Sequence, residues 1–512
     1  MTDLLDRIRE AHAAIRPQVP VTPLEWSYAL SAEFGADIWL KCEHHQPTGS
    51  FKLRGATNKL RLLAEAGDTR GIVTASTGNH GQAAARAGRL AGIPVRVHVA
   101  ASTVPSKRDA IRALGAELVL VDGPPILAET GAREAAAAEG LTYVSPYNDL
   151  DIVAGQGTLG MELFDQAPDL DAVFIAVGGG GLIGGIAAYV KRLRPEVRVI
   201  GVQPVDADAM ARSLRARRRV ALPRVGLFAD GVAVRQVGVE TFRLARELVD
   251  EMVLVDTDEI CAAIKDVFED TRSILEPAGA LAVAGAKRYV ADAGLRGKDL
   301  VAVASGANVD FDRLRFVAER AEVGEAREAL LGVTLPERPG SLRSLCAAIG
   351  ERGITELSYR MTDPEAARVF VGVEVRDRKE TRTLLRALRR SGFPAIDLSD
   401  DELAKQHVRH LIGGHASPPD AGAGAAATAE ELLYRFEFPE RPGALARFLE
   451  RMPSSWNISL FHYRNQGSSY GRVLVGMQVP RRDGRAFARF LADVGYPYVD
   501  EGGSASYATF LA

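Results

Sequence analysis

Lys52 lies where a loop is expected to pass into a helix, within the stretch Ser50–Ala56 (SFKLRGA). Most lysines belong to the solvated surface, so this position alone says little about chemistry. A lysine amine forms an imine with an aldehyde only when it is deprotonated, and desolvation in a cleft favours that neutral form. We therefore predict that Lys52 is the catalytic residue, provided that other loops supply the groups that such chemistry needs.

One such loop consists of Ser76, Thr77, Gly78, Asn79 and His80, which follow a predicted strand and open a predicted helix. The first turn of a helix offers backbone N–H groups without helical partners and the positive end of the helix dipole, and both suit a carboxylate. Ser, Thr and Asn are also the preferred helix-capping residues. A carboxylate dock and a purely structural cap are therefore both open interpretations.

A second loop consists of Gly178, Gly179, Gly180, Gly181 and Leu182, between an apolar strand and a helix. Consecutive glycines let backbone N–H groups wrap a phosphate with no side chain in the way. The spacing also matches a dinucleotide-binding pattern, but the acidic residue expected about 20 residues later is missing. We predict that this loop holds the terminal phosphate of a small cofactor.

A third loop, Ser305–Asn308, ends another apolar strand. The hydroxyl of Ser305 is an ordinary capping group unless a nitrogen-containing ring lies beside it. Its meaning therefore depends on what the other two loops bind.

These loops belong to a region of about 320 residues in which short β-branched runs alternate with amphipathic, alanine-rich stretches. This alternation predicts βαβ units, hence an α/β fold with parallel sheets and functional loops at the carboxyl ends of the strands. At 512 residues the chain is too long for one hydrophobic core. We therefore expect further domains after this region.

Composition and charge narrow the possible partners. A formal net charge of -3 gives no attraction to nucleic acid or to anionic membranes, so we predict neither partner. The uncharged residues 172–190 contain six glycines, which argues for a strand, a loop and a helix rather than a membrane span. The three cysteines are scattered and the N-terminal segment has no apolar core of a signal peptide, so we predict a cytoplasmic protein.

Two groups of residues have types that bind metal ions. Cys42-Glu43-His44-His45 is compact, but zinc sites normally draw ligands from a second cluster, and the sequence has none with matching spacing. His407 and His410 lie about one helical turn apart beside an acidic run. We predict surface histidines at both places and no metal.

Seven motifs in order make the sequence resemble the biosynthetic threonine dehydratases (threonine deaminases), which are fold-type-II pyridoxal-phosphate enzymes. Each motif alone is weak, but the resemblance covers nearly the whole chain. The motifs are Ser50–Ala56, Ser76–His80, Gly155–Thr158, Gly178–Leu182, Arg224–Gly231, Glu276–Ala280 and Ser305–Asn308. One departure is Ala278, where many relatives carry serine, and we expect it to affect packing near the cofactor more than the reaction class.

The resemblance implies pyridoxal 5'-phosphate as the cofactor, held by Lys52 as a Schiff base, with Asn79 on its ring hydroxyl and Gly178 to Leu182 around its phosphate. Ser305 would face the ring nitrogen and leave it largely unprotonated, which suits β-elimination better than transamination. The substrate carboxylate would dock on Ser76 to His80 while Lys52 removes the α-proton. L-threonine would then yield 2-oxobutanoate and ammonia, with the cofactor phosphate favoured as proton donor to the departing hydroxyl.

Two alternatives remain open at this point. One is a broader dehydratase that also accepts L-serine, or another fold-type-II lyase. The other is an amino-acid sensor that carries the cofactor but has little catalysis. Turnover of threonine to a 2-oxo acid separates the enzyme from the sensor.

Beyond about residue 329 the sequence repeats itself, with an offset of 103 and then 104 residues. Each copy reads strand, helix, strand, strand, helix, strand, which is a ferredoxin-like βαββαβ unit. We therefore predict a catalytic domain at 1–320, regulatory domains at 329–401 and 432–503, and a linker at 402–431.

The repeats lack a cluster of catalytic residue types and resemble the paired ACT-like regulatory domains of the same family. The resemblance implies the first committed step of isoleucine biosynthesis, inhibition by isoleucine, opposition by valine, and a homotetramer. Leu342 and Tyr359, with Leu445 and Tyr463 at equivalent places, are the candidate effector residues. The alternative that these four side chains belong to the domain core is left open.

Overall fold

The structure is a computed structural model, and the chain divides into two compact units, Met1–Gly324 and Glu325–Ala512. The part of the chain that it describes comprises residues 2–76, 78–101, 103, 105–123, 125–293, 296–311, 313–360, 365–406, 408–410, 429–439, 443–464 and 470–503.

The first unit alternates strands with helices. Its strands are β1 (Leu24–Trp26), β2 (Asp37–Lys41), β3 (Ile72–Ala75), β4 (Val95–Ala100), β5 (Glu117–Val121), β6 (Thr142–Tyr143), β7 (Ala172–Ala176), β8 (Arg198–Pro204), β9 (Glu251–Val255) and β10 (Asp299–Val303). Its helices are α1 (Thr2–Ile15), α2 (Tyr28–Phe34), α3 (Lys52–Glu65), α4 (Asn79–Ala91), α5 (Pro105–Ala113), α6 (Pro125–Glu139), α7 (Leu150–Gln166), α8 (Gly181–Leu193), α9 (Ala209–Ala216), α10 (Val239–Leu248), α11 (Thr257–Thr271), α12 (Pro277–Ala293) and α13 (Arg313–Gly324), with short 3-10 helices at Glu43–His45 and Asp230–Val232.

These strands form two sheets, and the predicted parallel arrangement is confirmed. The larger sheet has the order β1-β2-β10-β7-β8-β9, with β1 antiparallel to β2 and the other pairs parallel. The smaller sheet has the order β5-β4-β3-β6 and is parallel throughout. Because parallel strands share one carboxyl edge, the loops after the neighbouring strands β7 and β10 leave the larger sheet on the same side.

Strand β7 shows why its sequence is apolar without interruption. Val173 and Ile175 belong to the core that includes residues of α7 and α8, whereas Phe174 and Ala176 belong to the core that includes residues of α12. A strand buried on both faces needs no polar residues. The uncharged stretch 172–190 is therefore strand, loop and helix, as predicted, and within the described residues we find no helix with the length and apolarity needed to cross a bilayer.

The second unit contains the two predicted repeats. The first comprises β11 (Glu328–Pro336), α14 (Ser341–Ile349), β12 (Ile354–Arg360), β13 (Ala366–Glu374), α15 (Arg378–Arg390) and β14 (Ala395–Asp397). After α16 (Glu402–Gln406) and a 3-10 helix at Val408–His410, the second comprises β15 (Ala429–Pro439), α17 (Ala444–Arg451), β16 (Asn457–Arg464), β17 (Tyr470–Pro480), α18 (Gly484–Val494) and β18 (Tyr498–Asp500), with a 3-10 helix at Arg481–Asp483.

All eight strands of this unit form one sheet, in the order β14-β11-β13-β12-β16-β17-β15-β18. Each half has the strand order of a ferredoxin-like unit, and the second half mirrors the first. The halves join through antiparallel pairing of β12 with β16, where Tyr359 lies opposite Phe461 and Tyr463 lies opposite Leu357. This architecture agrees with the predicted fold class.

The range 402–431, predicted as a linker, contains more structure than its composition suggested. It includes α16, the 3-10 helix that follows, and the first residues of β15. Ala404 and Arg409 are buried, and a guanidinium nitrogen of Arg409 lies 2.8 Å from a carboxylate oxygen of Glu356. A buried ion pair of this kind attaches the segment to the first repeat.

Candidate active site

Lys52 is the first residue of α3, as the sequence predicts. Its Nζ donates a hydrogen bond to the carbonyl oxygen of Pro146, 3.0 Å away, in the segment between β6 and α7. Desolvation lowers the pKa of Lys52 to about 8, and the nearby carboxyl of Glu276 only partly opposes this shift. A substantial fraction of this amine is therefore neutral near pH 8, which is the form that reacts with an aldehyde.

The loop Gly178–Leu182 connects β7 to α8, whose first residue is Gly181. Gly180 has a φ of +94°, and a Cβ on Gly179 would come within 2.2 Å of the Tyr147 ring. Glycine is therefore required at both positions. The first backbone N–H groups of α8 have no partner within the helix, so this loop forms a cradle that could hold a phosphate without interference from side chains.

The loop Ser76–His80 connects β3 to α4, which begins at Asn79. The N–H of Gly78 donates to Oγ of Ser76 over 3.3 Å, so Ser76 acts locally as a turn residue. His80 is buried, and burial together with repulsion from Lys52 lowers its pKa to about 3, which keeps the imidazole neutral. Thr77 lies outside the described residues.

Ser305 is buried just beyond the end of β10, and its Oγ donates to the carbonyl oxygen of Ala278 over 3.4 Å. Its own carbonyl oxygen accepts the N–H of Phe51 at 3.2 Å, and Ser50 forms an isolated β-bridge with Gly306. The loop that carries Ser305 and the loop that leads to Lys52 are thus joined directly through their backbones. The segments that carry the serine hydroxyl and the lysine amine are therefore held next to each other.

Glu276 is a site residue that the sequence reasoning did not single out. Its side chain is 5% exposed, and its Oε1 accepts a hydrogen bond from Nδ2 of Asn79 at 2.5 Å. Oδ1 of Asn79 in turn accepts from Nδ2 of Asn308 at 2.5 Å, so three loops meet through these side chains. Burial raises the pKa of Glu276 to about 7, with Asp230 adding to the effect. The sequence did contain a signal for this residue, because Glu276 is the charged first residue of the otherwise apolar motif Glu276–Ala280.

Arg54, in the first turn of α3, belongs to a buried ionic network rather than to the reacting groups. Its guanidinium donates to both carboxylate oxygens of Glu43 at 2.7 Å and to Glu162 at 2.8 and 2.9 Å. Lys41 also donates to Glu162, at 2.6 Å. Burial alone raises the pKa of Glu162, but Arg54 and Lys41 outweigh it and hold that pKa at about 2. This network fixes the helix that begins with Lys52.

The predicted surface location of the histidines at 44 and 45 is correct for one of them only. His45 is exposed, but His44 is buried, with 8% of its surface accessible. The prediction was wrong for His44 because the 3-10 helix Glu43–His45 turns this residue towards the end of β10. There its backbone N–H donates to the carbonyl oxygen of Ala304 at 3.1 Å. Of the second pair, His407 lies outside the described residues, and His410 ends a 3-10 helix.

The four candidate effector residues lie in the second unit and fall into two classes. Leu342 and Tyr359 line a cleft between the first repeat and the residues Leu449–Ile458 of the second. Tyr359 donates through Oη to the carboxylate of Glu337. Leu445 and Tyr463 are half-buried, pack against the shared core and do not line this cleft. The structure therefore brings only the first pair together at a cavity.

Similarity to known proteins follows this architecture. The pyridoxal-phosphate dependent enzyme family matches residues 15–306, and the C-terminal regulatory domain of threonine dehydratase matches residues 319–408 and 422–511. The biosynthetic L-threonine dehydratase of Burkholderia multivorans is 50% identical over 96% of both chains, and that of Escherichia coli K12 is 44% identical over 98% of this chain and 96% of its own. The solved structure of processed threonine deaminase isoform 2 from Solanum lycopersicum is 42% identical, with a TM-score of 0.61, over 63% of this chain and 94% of that one.

Proposed function

The chain belongs to the family of biosynthetic threonine dehydratases, and from this premise we propose that Lys52 carries out the deamination of L-threonine under control by isoleucine. The protein is a threonine ammonia-lyase with pyridoxal phosphate as its cofactor. The assignment of roles rests on one observation. Desolvation lowers the pKa of the Lys52 amine with little opposition from nearby charges, and the loop that leads to Lys52 is hydrogen-bonded through its backbone to Ser305.

Pyridoxal phosphate supplies an aldehyde that binds amines and a ring that withdraws electrons from the α-carbon of a bound amino acid. The described residues fit this cofactor. The glycine loop presents backbone N–H groups with no side chain of its own between them and a phosphate, and Lys52 offers an amine with a pKa of about 8. Ser305 offers a neutral hydroxyl for the ring nitrogen.

Lys52 is the proposed base that removes the α-proton of threonine. A base works best when its pKa lies near the operating pH, and desolvation brings the pKa of this amine to about 8. The carbonyl oxygen of Pro146 orients Nζ through its hydrogen bond. Nζ of Lys52 can therefore take up the α-proton of threonine, although no carboxylate in the described part of the chain is hydrogen-bonded to this nitrogen.

The N-terminus of α4 is the proposed dock for the substrate carboxylate. Ser76, Gly78, Asn79 and His80 surround this end of the helix, and Thr77 completes the loop in the sequence. The helix dipole and the unpaired N–H groups favour an anion there. The neutral His80 adds no positive charge, so the backbone supplies the attraction.

Asn79 is the proposed partner of the cofactor's ring hydroxyl, and Glu276 and Asn308 are positioning residues that act through it. They bond to opposite ends of its amide, so its orientation is fixed before ligand binds. An oriented amide saves the ordering cost that a free side chain would have on binding.

The proposed reaction is tested by measuring 2-oxo acid formation from L-threonine and from L-serine with the full chain loaded with cofactor. We expect 2-oxobutanoate from threonine, and release of pyruvate from serine would support the broader dehydratase. Lys52→Ala should lose turnover, whereas Lys298→Ala, which removes an exposed lysine paired with Asp171, should not. A cofactor-loaded wild type that turns over neither substrate would favour the sensor alternative.

Isoleucine is the proposed inhibitor, with valine opposing it, and the cleft around Leu342 and Tyr359 is the proposed binding site. The cleft has a cavity volume of only about 20 Å³ in this structure, so it must widen to admit an amino acid. Its lining combines apolar side chains with Glu337 and Arg338, whose charges suit the two charged groups of a free amino acid. Nδ2 of Asn457 also donates to Glu337, at 3.0 Å, so both repeats contribute. Inhibition by isoleucine is consistent with a role as the first committed step of isoleucine biosynthesis. The proposed assembly is a homotetramer.

A comparison of equivalent leucines tests this regulatory proposal. Leu342→Ala should raise the isoleucine concentration for half inhibition by roughly 10-fold to 150-fold, because burial of a leucine side chain against a ligand contributes about 1.5–3 kcal/mol. Leu445→Ala removes the equivalent side chain from outside the cleft and serves as the matched control. If saturating isoleucine left the threonine saturation curve of the wild type unchanged, the regulatory proposal would fail.

A further inference from the structure

We propose that Cys42, His44 and His45 form a binding site for a divalent cation of the zinc class, separate from the cofactor site. Cys42 directly follows β2, and His44 and His45 belong to the 3-10 helix Glu43–His45. One ligand atom from each lies within 4.8 Å of the other two. The mechanism of threonine deamination assigns no role to any of them.

The spacing of these atoms is close to what zinc requires. Bond lengths of about 2.3 Å to sulfur and about 2.0 Å to nitrogen place tetrahedral ligand atoms roughly 3.3–3.8 Å apart. Atoms that already lie within 4.8 Å of one another therefore need to approach by about 1 Å. Rotation of the exposed His45 side chain can supply much of this movement, since no packed core restrains it.

His44 provides an independent indication of a ligand. It is buried, yet neither ring nitrogen meets hydrogen-bond geometry with any residue in the described part of the chain. A buried polar nitrogen without a partner is the kind of group that a bound ion satisfies.

Cys42 completes the set of ligands. The thiol is fully buried, and its Sγ donates a hydrogen bond to the carbonyl oxygen of Leu40 at 3.4 Å. A cation that binds the sulfur displaces this proton, so Cys–SH and M²⁺ give a Cys–S–M bond and one H⁺, which passes to solvent. Three protein ligands leave the fourth tetrahedral position to water on the side of the exposed His45.

The site would connect two segments that position the reacting groups. Cys42 follows β2, whereas the backbone N–H of His44 donates to the carbonyl oxygen of Ala304, which directly precedes Ser305. A bound cation would therefore stiffen the start of the path that leads from β2 to Lys52. We expect added zinc to raise the thermal unfolding temperature of the cofactor-loaded protein.

Zinc binding to the full, cofactor-loaded chain tests the proposal, by equilibrium dialysis against a competing zinc indicator. The expected result is one Zn²⁺ per chain, with affinity lowered at least about tenfold in His45→Gln and in Cys42→Ser, since even outer partners of metal ligands commonly contribute that much. His12→Gln, which removes a half-buried histidine of α1, should bind like the wild type.

Because Cys42 is buried and its variant can fail to fold, His45→Gln at an exposed position keeps the test decisive. Absence of stoichiometric zinc binding by the wild type would overturn the proposal. So would zinc binding that persists unchanged in His45→Gln, since that zinc would sit on the cofactor or elsewhere on the surface.

Discussion

Lys41 and Lys52 are two lysines of the same unit, the first fully buried and the second half-buried, and their partners differ. Nζ of Lys41 donates to Glu162 at 2.6 Å, to the carbonyl oxygen of Thr22 at 2.8 Å and to Gln166 at 2.8 Å, which satisfies an ammonium completely. Nζ of Lys52 has one hydrogen bond, to Pro146, and no carboxylate directly bonded to it among the described residues. Burial lowers the pKa of both amines, but Glu162 and Glu43 oppose this effect at Lys41, whereas only Glu276 opposes it at Lys52, where the pKa falls to about 8.

The same contrast separates two buried carboxyl groups. Glu162 lies between Arg54 and Lys41, and its pKa is held at about 2 against the opposing effect of burial. Glu276 has the neutral Asn79 as its hydrogen-bond partner, and burial raises its pKa to about 7. One carboxyl is permanently charged, and the other titrates near neutrality, beside the proposed base.

Removal of Lys52 should have the largest effect. We expect Lys52→Ala to lower kcat at least about 10⁴-fold, the upper range for loss of a general base. Its free energy of unfolding at pH 7 should not fall, because the folded pKa of about 8 lies below the ordinary 10.5 and the desolvated ammonium therefore opposes folding at that pH. The two quantities are measured by 2-oxobutanoate formation and by denaturant unfolding. If Lys52→Ala retained activity within tenfold of the wild type, the proposed difference in role between Lys52 and Lys41 would be refuted.

Disruption of the network around Lys41 should affect stability next most strongly. Glu162→Gln leaves Lys41 and Arg54 buried with fewer negative partners, so we expect a loss of about 3–5 kcal/mol in the free energy of unfolding. Glu65→Gln removes an exposed pair with Arg61 and should cost no more than about 1 kcal/mol. Equal effects of the two substitutions in urea unfolding would show that the buried network is not structural.

The two carboxyl groups also predict opposite dependences of stability on pH. The folded pKa of Glu162 lies below its ordinary value of 4.5, so its contribution is present above pH 4.5 and is lost as the pH falls towards about 2. The folded pKa of Glu276 lies above 4.5, so folding becomes less favourable as the pH rises from 4.5 through about 7.

Glu276→Gln should therefore stabilise the cofactor-free protein at pH 8, by roughly 1–3 kcal/mol, and have little effect at pH 4. The glutamine can still accept the hydrogen bond from Asn79. Unfolding in urea at both pH values measures this difference, and Glu65→Gln again provides the exposed control. A destabilisation at pH 8 would mean that the ionised Glu276 has a stabilising partner, contrary to the contrast with Glu162.

The sequence was sufficient for the fold class and for the start of α3 at Lys52, because hydrophobic periodicity and local motifs determine both. It could not reveal the network of Lys41, whose partner Glu162 is 121 residues away, since spacing carries no information about such a contact. The role of Pro146 escaped for a similar reason, because a backbone carbonyl leaves no residue-type signal. The burial of His44 depends on a single 3-10 turn that its polar neighbours did not indicate.

The site of cofactor attachment is the most direct test of the central claim. Borohydride reduction of the cofactor-loaded protein converts an imine into a stable amine, and peptide mass mapping then locates the modified lysine. We predict that the cofactor is recovered on the peptide that contains Lys52 and that Lys41 remains unmodified. Recovery of the cofactor on Lys41, or on any lysine other than Lys52, would contradict the account.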